Sequence, residues 1–354
     1  DMATGYYRLY QDGYKQYLNF HELSGTQIAC GWFDEFRSAV VSIDSTESFS
    51  KSHEKFCIKR IENIMDFERL HGARRKGAIV KCEDIITLSG YEERKQAYFE
   101  RILDEIKNQH TMQRYRDRET GKEISFGCVR VAHINECIEL FGFLSERGEL
   151  PDSELRVMPY HSRQILLLRS LQEKHLDQVL RCKDGSREQA LSHPIIRNHI
   201  SHCSKPNIIF VLVCTPVEEI GRDHDFDWAI VEPSSYRSII QLAGRVRRHR
   251  KEHCANPNIS IMQYNIRALN PTWNGPVFTR PGYESYSYRL NSKDVEELVN
   301  VHQISESINS CPRISVPLHL QPESQLQDIE HFVIKKQLND STQKGPESPG
   351  GWMQ

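Results

Sequence analysis

Gln241, Gly244, Arg245 and Arg248 stand in the order Q-x-x-G-R-x-x-R. If Tyr236–Arg248 is one helix, the four residues fall at i, i+3, i+4 and i+7 and share a face. Two guanidiniums aimed from one face, beside a glycine that lets a ligand approach, suit a polyphosphate. Such arginines neutralise the charge that develops on a transferring γ-phosphoryl group. Upstream, Thr215 and Gly221-Arg-Asp223 follow the apolar run Asn207–Cys214. A hydroxyl there can hold a phosphate oxygen, and a carboxylate can accept hydrogen bonds from a ribose. Local charge has the same division. From Glu218 to Glu232 six acids (Glu218, Glu219, Asp223, Asp225, Asp227, Glu232) face one base, Arg222, a net −5. From Pro233 to Lys251 six bases (Arg237, Arg245, Arg247, Arg248, Arg250, Lys251) meet no acid, a net +6. The plainer alternative is a basic helix and an acidic loop that form salt bridges with each other.

These residues need elements to hold them. Asn207–Cys214 is nearly continuous in apolar residues, the pattern of a strand buried on both faces of a parallel sheet. Gly127–Ala132, Leu155–Tyr160, Trp228–Val231 and Ile259–Met262 read as further strands. Helical patterns lie between them, through Ile138, Leu140, Phe141 and Leu144 and over Ile165–Leu180. Strands alternating with helices predict a doubly wound α/β sheet. Ligands of such sheets bind beyond the C-terminal ends of the strands, where Thr215 falls.

Outside this rhythm the texture changes. Residues 1–120 read as a mostly helical, charged segment, with Tyr6, Tyr10, Tyr14 and Tyr17 as an aromatic stripe at helical spacing. Such a stripe packs on a core, although bases could also stack on it. Residues 121–268 hold the α/β pattern, 269–340 form an accessory region with a final helix at Leu326–Leu338, and 341–354 read as a flexible tail. The whole chain has 354 residues and a formal net charge of −2, with 38% hydrophobic residues. It can bury a core and is not disordered throughout. The longest clean apolar run, Ile208–Cys214, falls far short of the ~20 residues that span a bilayer, so no membrane partner is expected. Ten cysteines with no C-x-x-C spacing read as buried free thiols of a reducing cytoplasm. The chain starts at Asp1 rather than Met, and we read it as part of something longer.

The wording from Thr215 to Arg245 also resembles a known family. Thr215 to Asp223 is similar to motif V of superfamily 2 helicases, and Gln241 to Arg248 to their motif VI; together they mark a second RecA-like domain. The fuller run Thr-Pro-Val-Glu-Glu-Ile-Gly-Arg-Asp-His-Asp-Phe-Asp-Trp-Ala-Ile-Val-Glu-Pro resembles the helicase-nuclease of type I-F CRISPR interference, as do Tyr160-His-Ser-Arg163 and Arg280-Pro-Gly-Tyr-Glu284. The resemblance implies a RecA-like doubly wound sheet with a preceding helical segment and a C-terminal accessory region. It implies an ATP-dependent helicase or translocase in antiviral defence. Arg245, Arg248 and Gln241 would face the γ-phosphate. Asp223, Gly221 and Gly244 would lie at the nucleotide, and Thr215, Ser162 and Arg163 would meet single-stranded DNA. ATP and Mg would be held mainly by a first motor domain, which residues 1–120 would join. The RNA-guided surveillance complex would be the protein partner.

The departures matter equally. A P-loop needs G-x-x-x-x-G-K-[ST]. Gly121-Lys122 is followed by Glu123, and Arg116 stands where the first glycine belongs. Asp34-Glu35, after the Ile28–Phe33 run, lacks the flanks of a metal-binding Asp-Glu box. The chain by itself is therefore expected to be inactive as an ATPase. His224-Asp225 lies within the motif V loop and is not read as a nuclease centre. His199, His202 and Cys203 form the densest ligand-like group, but no metal is assigned to them. Two rivals stand beside the motor: a DNA- or protein-binding scaffold with a degenerate helicase fold, and a metal-dependent nuclease.

Overall fold

The structure is a computed structural model that describes residues 8–11, 14–17, 28–33, 38–43, 46–182, 186–219 and 223–339. In chain order the first elements are strands β1 (Arg8–Gln11), β2 (Tyr14–Tyr17), β3 (Ile28–Phe33) and β4 (Ser38–Ile43) and helix α1 (Thr46–His71). Next come β5 (Gly77–Val80), α2 (Glu83–Ile86), α3 (Tyr91–Gln113), β6 (Tyr115–Arg116), β7 (Glu123–Arg130) and α4 (Ile134–Glu146). They are followed by β8 (Ser153–Tyr160), α5 (Leu166–Leu180), α6 (Glu188–Ser192), α7 (Pro194–His202) and β9 (Asn207–Cys214). The last stretch holds β10 (Trp228–Val231), α8 (Tyr236–Ala243), β11 (Ile259–Met262), α9 (Val295–Leu298), α10 (Val301–Glu306), α11 (Cys311–Ile314) and α12 (Leu326–Asn339).

The chain divides into two units. The smaller takes residues 1–72 and 310–317. It contains two antiparallel hairpins, β1–β2 and β3–β4. The tyrosine stripe is therefore not helical where it is described: Tyr10, Tyr14 and Tyr17 lie on strands. Gln11 pairs with Tyr14, and the two residues between them are Asp12-Gly13, a sequence that favours a tight hairpin. Tyrosine also has high strand propensity, which defeats a reading from spacing alone. Tyr6 and Asp34-Glu35 lie outside the described residues.

The larger unit, residues 73–309 and 318–354, is built on one seven-stranded sheet in the order β5-β11-β10-β7-β9-β8, with β6 antiparallel to the start of β7. The other six strands run parallel. Alternation along β9 explains the two cores. Ile208, Leu212 and Cys214 point to the face covered by α5, α7, α8 and α12. Ile209, Val211 and Val213 point to the face covered by α3 and α4. Helices on both faces of a mostly parallel sheet make this a doubly wound, RecA-like α/β arrangement. The apolar runs predicted at Asn207–Cys214, Trp228–Val231 and Ile259–Met262 are strands over those residues. The sheet also recruits β5, and α3 packs on its strands β7 and β10; both elements come from the stretch read as a mostly helical segment.

Two local features bear on the site. Helix α8 starts at Ser235, whose hydroxyl accepts from Ser238 N at 3.1 Å, and it stops at Ala243. Beyond it, Val246 bridges in parallel to Phe226, and Arg247 takes φ 46°. The predicted helix through Arg248 is thus five residues too long. The pull of the bridge to Phe226 ends it, with Arg247 N donating to Phe226 O at 3.0 Å.

Candidate functional site

Because the six strands are parallel, the segments after Arg130, Tyr160, Cys214 and Met262 gather along one edge of the sheet. A cleft of about 640 Å³ opens there. Ser162, Arg163 and Thr215 line it, together with the first turn of α4, Arg267 and Arg280. The structure thus brings together the three residues assigned to DNA from the sequence. Local hydrogen bonds fix them. Gln164 Oε1 accepts from His161 N at 3.1 Å, and its Nε2 donates to Pro159 O at 3.1 Å, clasping the turn that carries Ser162 and Arg163. Thr215 is buried, and its N–H donates to Tyr160 O. Burial, followed by the charges of Arg267, Arg130 and Arg280, lowers His133 to about 4. The histidine at the lip of the cleft is therefore neutral at pH 7, and the guanidiniums carry the positive field.

Asp223, Arg245 and Arg248 form a second group. Arg248 Nε donates to Asp223 Oδ1 at 2.6 Å, and His249 Nε2 lies 2.9 Å from the same oxygen. Burial pushes the Asp223 carboxyl up, but Arg248 and His249 together outweigh it and hold it below its ordinary value. Arg245 is buried and donates to Glu219 O at 3.0 Å. Burial and the neighbouring Arg248 charge lower its pKa. Gln241 and Gly244 are half-buried at the end of α8. The shortened helix removes the single face on which the four motif residues were expected. Arg245 and Arg248 instead leave a turn, and that turn aims them towards the loop carrying Asp223. Gly221 lies outside the described residues.

The two charge blocks are matched only in part to each other, through Arg248 and Arg250, and the remaining acids have partners elsewhere in the chain. Asp227 Oδ1 accepts from Arg187 Nη2 at 2.6 Å and Arg250 Nη2 at 2.7 Å, while Asp225 takes Arg250 at 2.9 Å. Glu219 receives Arg130 at 2.7 Å, and Glu232 accepts from Ala132 N and Ile266 N. His224 is buried between Glu218 (2.5 Å) and Asp177 (3.1 Å). A +6 block read as facing phosphates is therefore half internal. Of its arginines, Arg248 keeps 39% side-chain exposure and can still reach a ligand.

Sequence reasoning missed Arg130, the buried hub of this edge. Its guanidinium donates to Glu219, Glu232 O (2.6 Å) and Ser234 Oγ (2.8 Å), so the turns that carry these three residues are tied to β7. Its only sequence signal was a charge at the end of an apolar run. The other look-alikes have partners within the chain. Lys122 donates to Ile200 O at 2.8 Å and to Cys203 O. The thiol of Cys203 donates to Lys205 O, His202 Nδ1 lies 2.9 Å from Asn198 O, and His199 packs edge-on to Phe210. Cys214 meets Cys128 at 3.3 Å as a buried free thiol. Among the described residues no group of three or more His, Cys, Asp or Glu is placed to hold a metal ion.

Residues 123–251 match the family described as CRISPR-associated nuclease/helicase Cas3, C-terminal. The chain is 34% identical over 339 residues to a CRISPR-associated nuclease/helicase Cas3 of subtype I-F/YPEST from Pseudomonas aeruginosa (strain UCBPP-PA14), which takes in 94% of this chain and 30% of that protein. A protein of the same description from Pectobacterium atrosepticum is 33% identical over 317 residues, with 88% of this chain and 28% of the relative covered. This chain thus spans less than a third of the length of the curated relatives it matches. Among solved structures, T. fusca Cas3 with AMPPNP is 18% identical at TM-score 0.32, over 46% of this chain and 16% of that one. T. fusca Cas3 with ATP is 13% identical at TM-score 0.36, over 72% and 23%.

Proposed function

We propose, on the premise that this chain belongs to the CRISPR-associated nuclease/helicase Cas3 family as a C-terminal portion, that it is the second motor half of an ATP-dependent single-stranded-DNA helicase or translocase in CRISPR interference. The observation that carries the reading is the basic cleft that Ser162, Arg163 and Thr215 line at the C-terminal edge of the sheet; a separate pair, Arg248 held by Asp223, supplies the nucleotide side. In this reading the cleft grips the DNA backbone, which gives hold without sequence choice. Arg245 and Arg248 neutralise charge on the γ-phosphate, and Gln241 orients it. Asp223, Gly221 and Gly244 shape the nucleotide side, with Asp223 setting the Arg248 side chain before ATP arrives. When bound, ATP and Mg supply the phosphoryl group and its counter-charge, and both are held mainly by a first motor domain. The surveillance complex brings the machine to DNA in the cytoplasm.

The test uses a chimera in which this chain replaces the corresponding segment of the P. aeruginosa relative. Arg248→Ala is expected to lower DNA-stimulated ATP turnover by about 10³-fold or more while sparing strand binding. This chain alone is expected to show no turnover. One observation favours a second reading, an inactive scaffold: Arg245 and Arg248 are already engaged within the chain. ATP turnover by the chimera that Arg248→Ala leaves unchanged would favour the scaffold.

A further inference from the structure

Two of the three guanidiniums that line the cleft come from the region after β11. Arg267 and Arg280 line the cleft together with Ser162, Arg163 and Thr215. Neither is there by accident of a loose loop. Arg267 Nη1 donates to Thr279 Oγ1 at 2.9 Å, and its guanidinium lies 5.8 Å from the Trp273 ring. The Arg280 turn is clamped from below. Glu284 is buried, and its Oε2 accepts from Val277 N at 2.6 Å and Phe278 N at 2.9 Å. A Cβ on Gly282 would come within 1.9 Å of Phe278 O and 2.2 Å of Ser234 O, so the turn packs directly on the loop after β10. Arg280 itself is exposed and takes φ 48°, a conformation that a non-glycine residue keeps only when its surroundings fix it.

We propose that Arg267 and Arg280 form part of a phosphate-binding track for one nucleic-acid strand, together with Ser162, Arg163 and Thr215. The inference rests on the reading of the cleft as a strand site. Three guanidiniums, Arg163, Arg267 and Arg280, face one carboxylate in the cleft lining, Glu136. The first turn of α4, Ile134 to Glu136, adds backbone N–H groups that the helix itself leaves unpaired. Arginine matches phosphate with a planar, bidentate fork, whereas a track that read bases would need side chains aimed at base edges. The neutral state of His133 agrees with guanidiniums converging on this lip.

The track predicts a specific salt dependence. Binding of a labelled oligothymidylate to this chain is measured by fluorescence anisotropy from low to moderate salt. Arg280→Asn, which tolerates the left-handed backbone, and Arg267→Gln are each expected to reduce the slope of log K against log salt by about 0.7. Arg280→Lys is expected to restore most of that slope. If Arg267→Gln fails to fold, judged by circular dichroism, Arg280→Asn decides, because the Arg280 side chain is exposed. If wild type binds and Arg163→Ala weakens binding while Arg280→Asn leaves affinity and slope unchanged, this inference falls and the strand site stands. Absence of oligomer binding by wild type overturns both. Displacement of the oligomer by ATP at equal phosphate concentration hands the cleft to a nucleotide and overturns the strand assignment.

Discussion

Asp117 shows how a buried charge is made acceptable in the turn between β6 and β7. Its carboxylate accepts from Arg197 Nη1 and Nη2 at 2.9 and 3.1 Å, and from Thr120 N and Oγ1 at 3.0 and 2.6 Å. Burial pushes the carboxyl up, but Arg197 and Thr120 outweigh it and hold it below its ordinary value. A carboxyl with a depressed folded pKa adds stability above its unfolded value, near 3.9, and loses it as pH falls through the folded one. Asp117→Asn is therefore expected to cost roughly 1–3 kcal/mol at pH 7, with the difference from wild type closing below about pH 4. Urea unfolding at pH 7 and pH 3 reads both values. An equal gap at the two would mean that shape rather than charge holds the turn. The same logic applies to Asp223, whose tie to Arg248 persists at neutral pH and loosens in acid. Few of these partners were legible in advance, because Arg197 and Asp117 are 80 residues apart and no local pattern pairs them.

At the scale of elements, register does most of the positioning. On β7, Gly127 lies directly opposite Trp228 of β10. A Cβ on Gly127 would fall 2.1 Å from the Trp228 ring, and that ring is fixed by its Nε1 donating to Ser125 Oγ at 3.1 Å. Gly127→Ala is expected to destabilise the larger unit by about 1–3 kcal/mol, as overpacking of a tight core does. Thermal unfolding followed by tryptophan fluorescence checks this, and an unchanged midpoint would mean that the ring yields freely. Strands this apolar announced themselves in the sequence because burial on both faces leaves no polar alternation to confuse the pattern. Helix α8 did not announce its end. Its stop depends on Val246 pairing with Phe226, 20 residues earlier, and on Arg247 adopting a left-handed φ.

At the scale of the whole molecule, one feature of the larger unit lies outside both site groups. Ile165, Leu166 and Leu167 are 76%, 72% and 71% exposed at the start of α5, next to Arg163, and Leu171 continues the ridge one turn on. Contiguous apolar surface of this kind marks a contact surface rather than core. Leu167→Gln is expected to change stability by no more than about 0.5 kcal/mol, as an exposed substitution does. A larger loss in chemical denaturation would mean that the ridge folds onto the chain in solution. The sequence average of −2 had already concealed the contrast between acidic and basic blocks, and the structure shows what that contrast does. The acids fasten turns to β7 and α5, while the guanidiniums that line the cleft, Arg163, Arg267 and Arg280, come from outside the basic block.

By itself the sequence determined the alternation of strands and helices, the buried strand before Thr215, and the candidate residues Thr215, Asp223, Gln241, Arg245 and Arg248. Hydrophobic periodicity and short motifs are local, so they survive in one dimension. Only the tertiary structure decided which of these residues meet. It separated the cleft of Ser162, Arg163 and Thr215 from the Asp223–Arg248 pair, and it brought Arg130, Arg267 and Arg280 to the same edge. The reason is physical. Parallel strands carry distant loops to one end of the sheet, and a charge shows its role only when its partner, far along the chain, is in place.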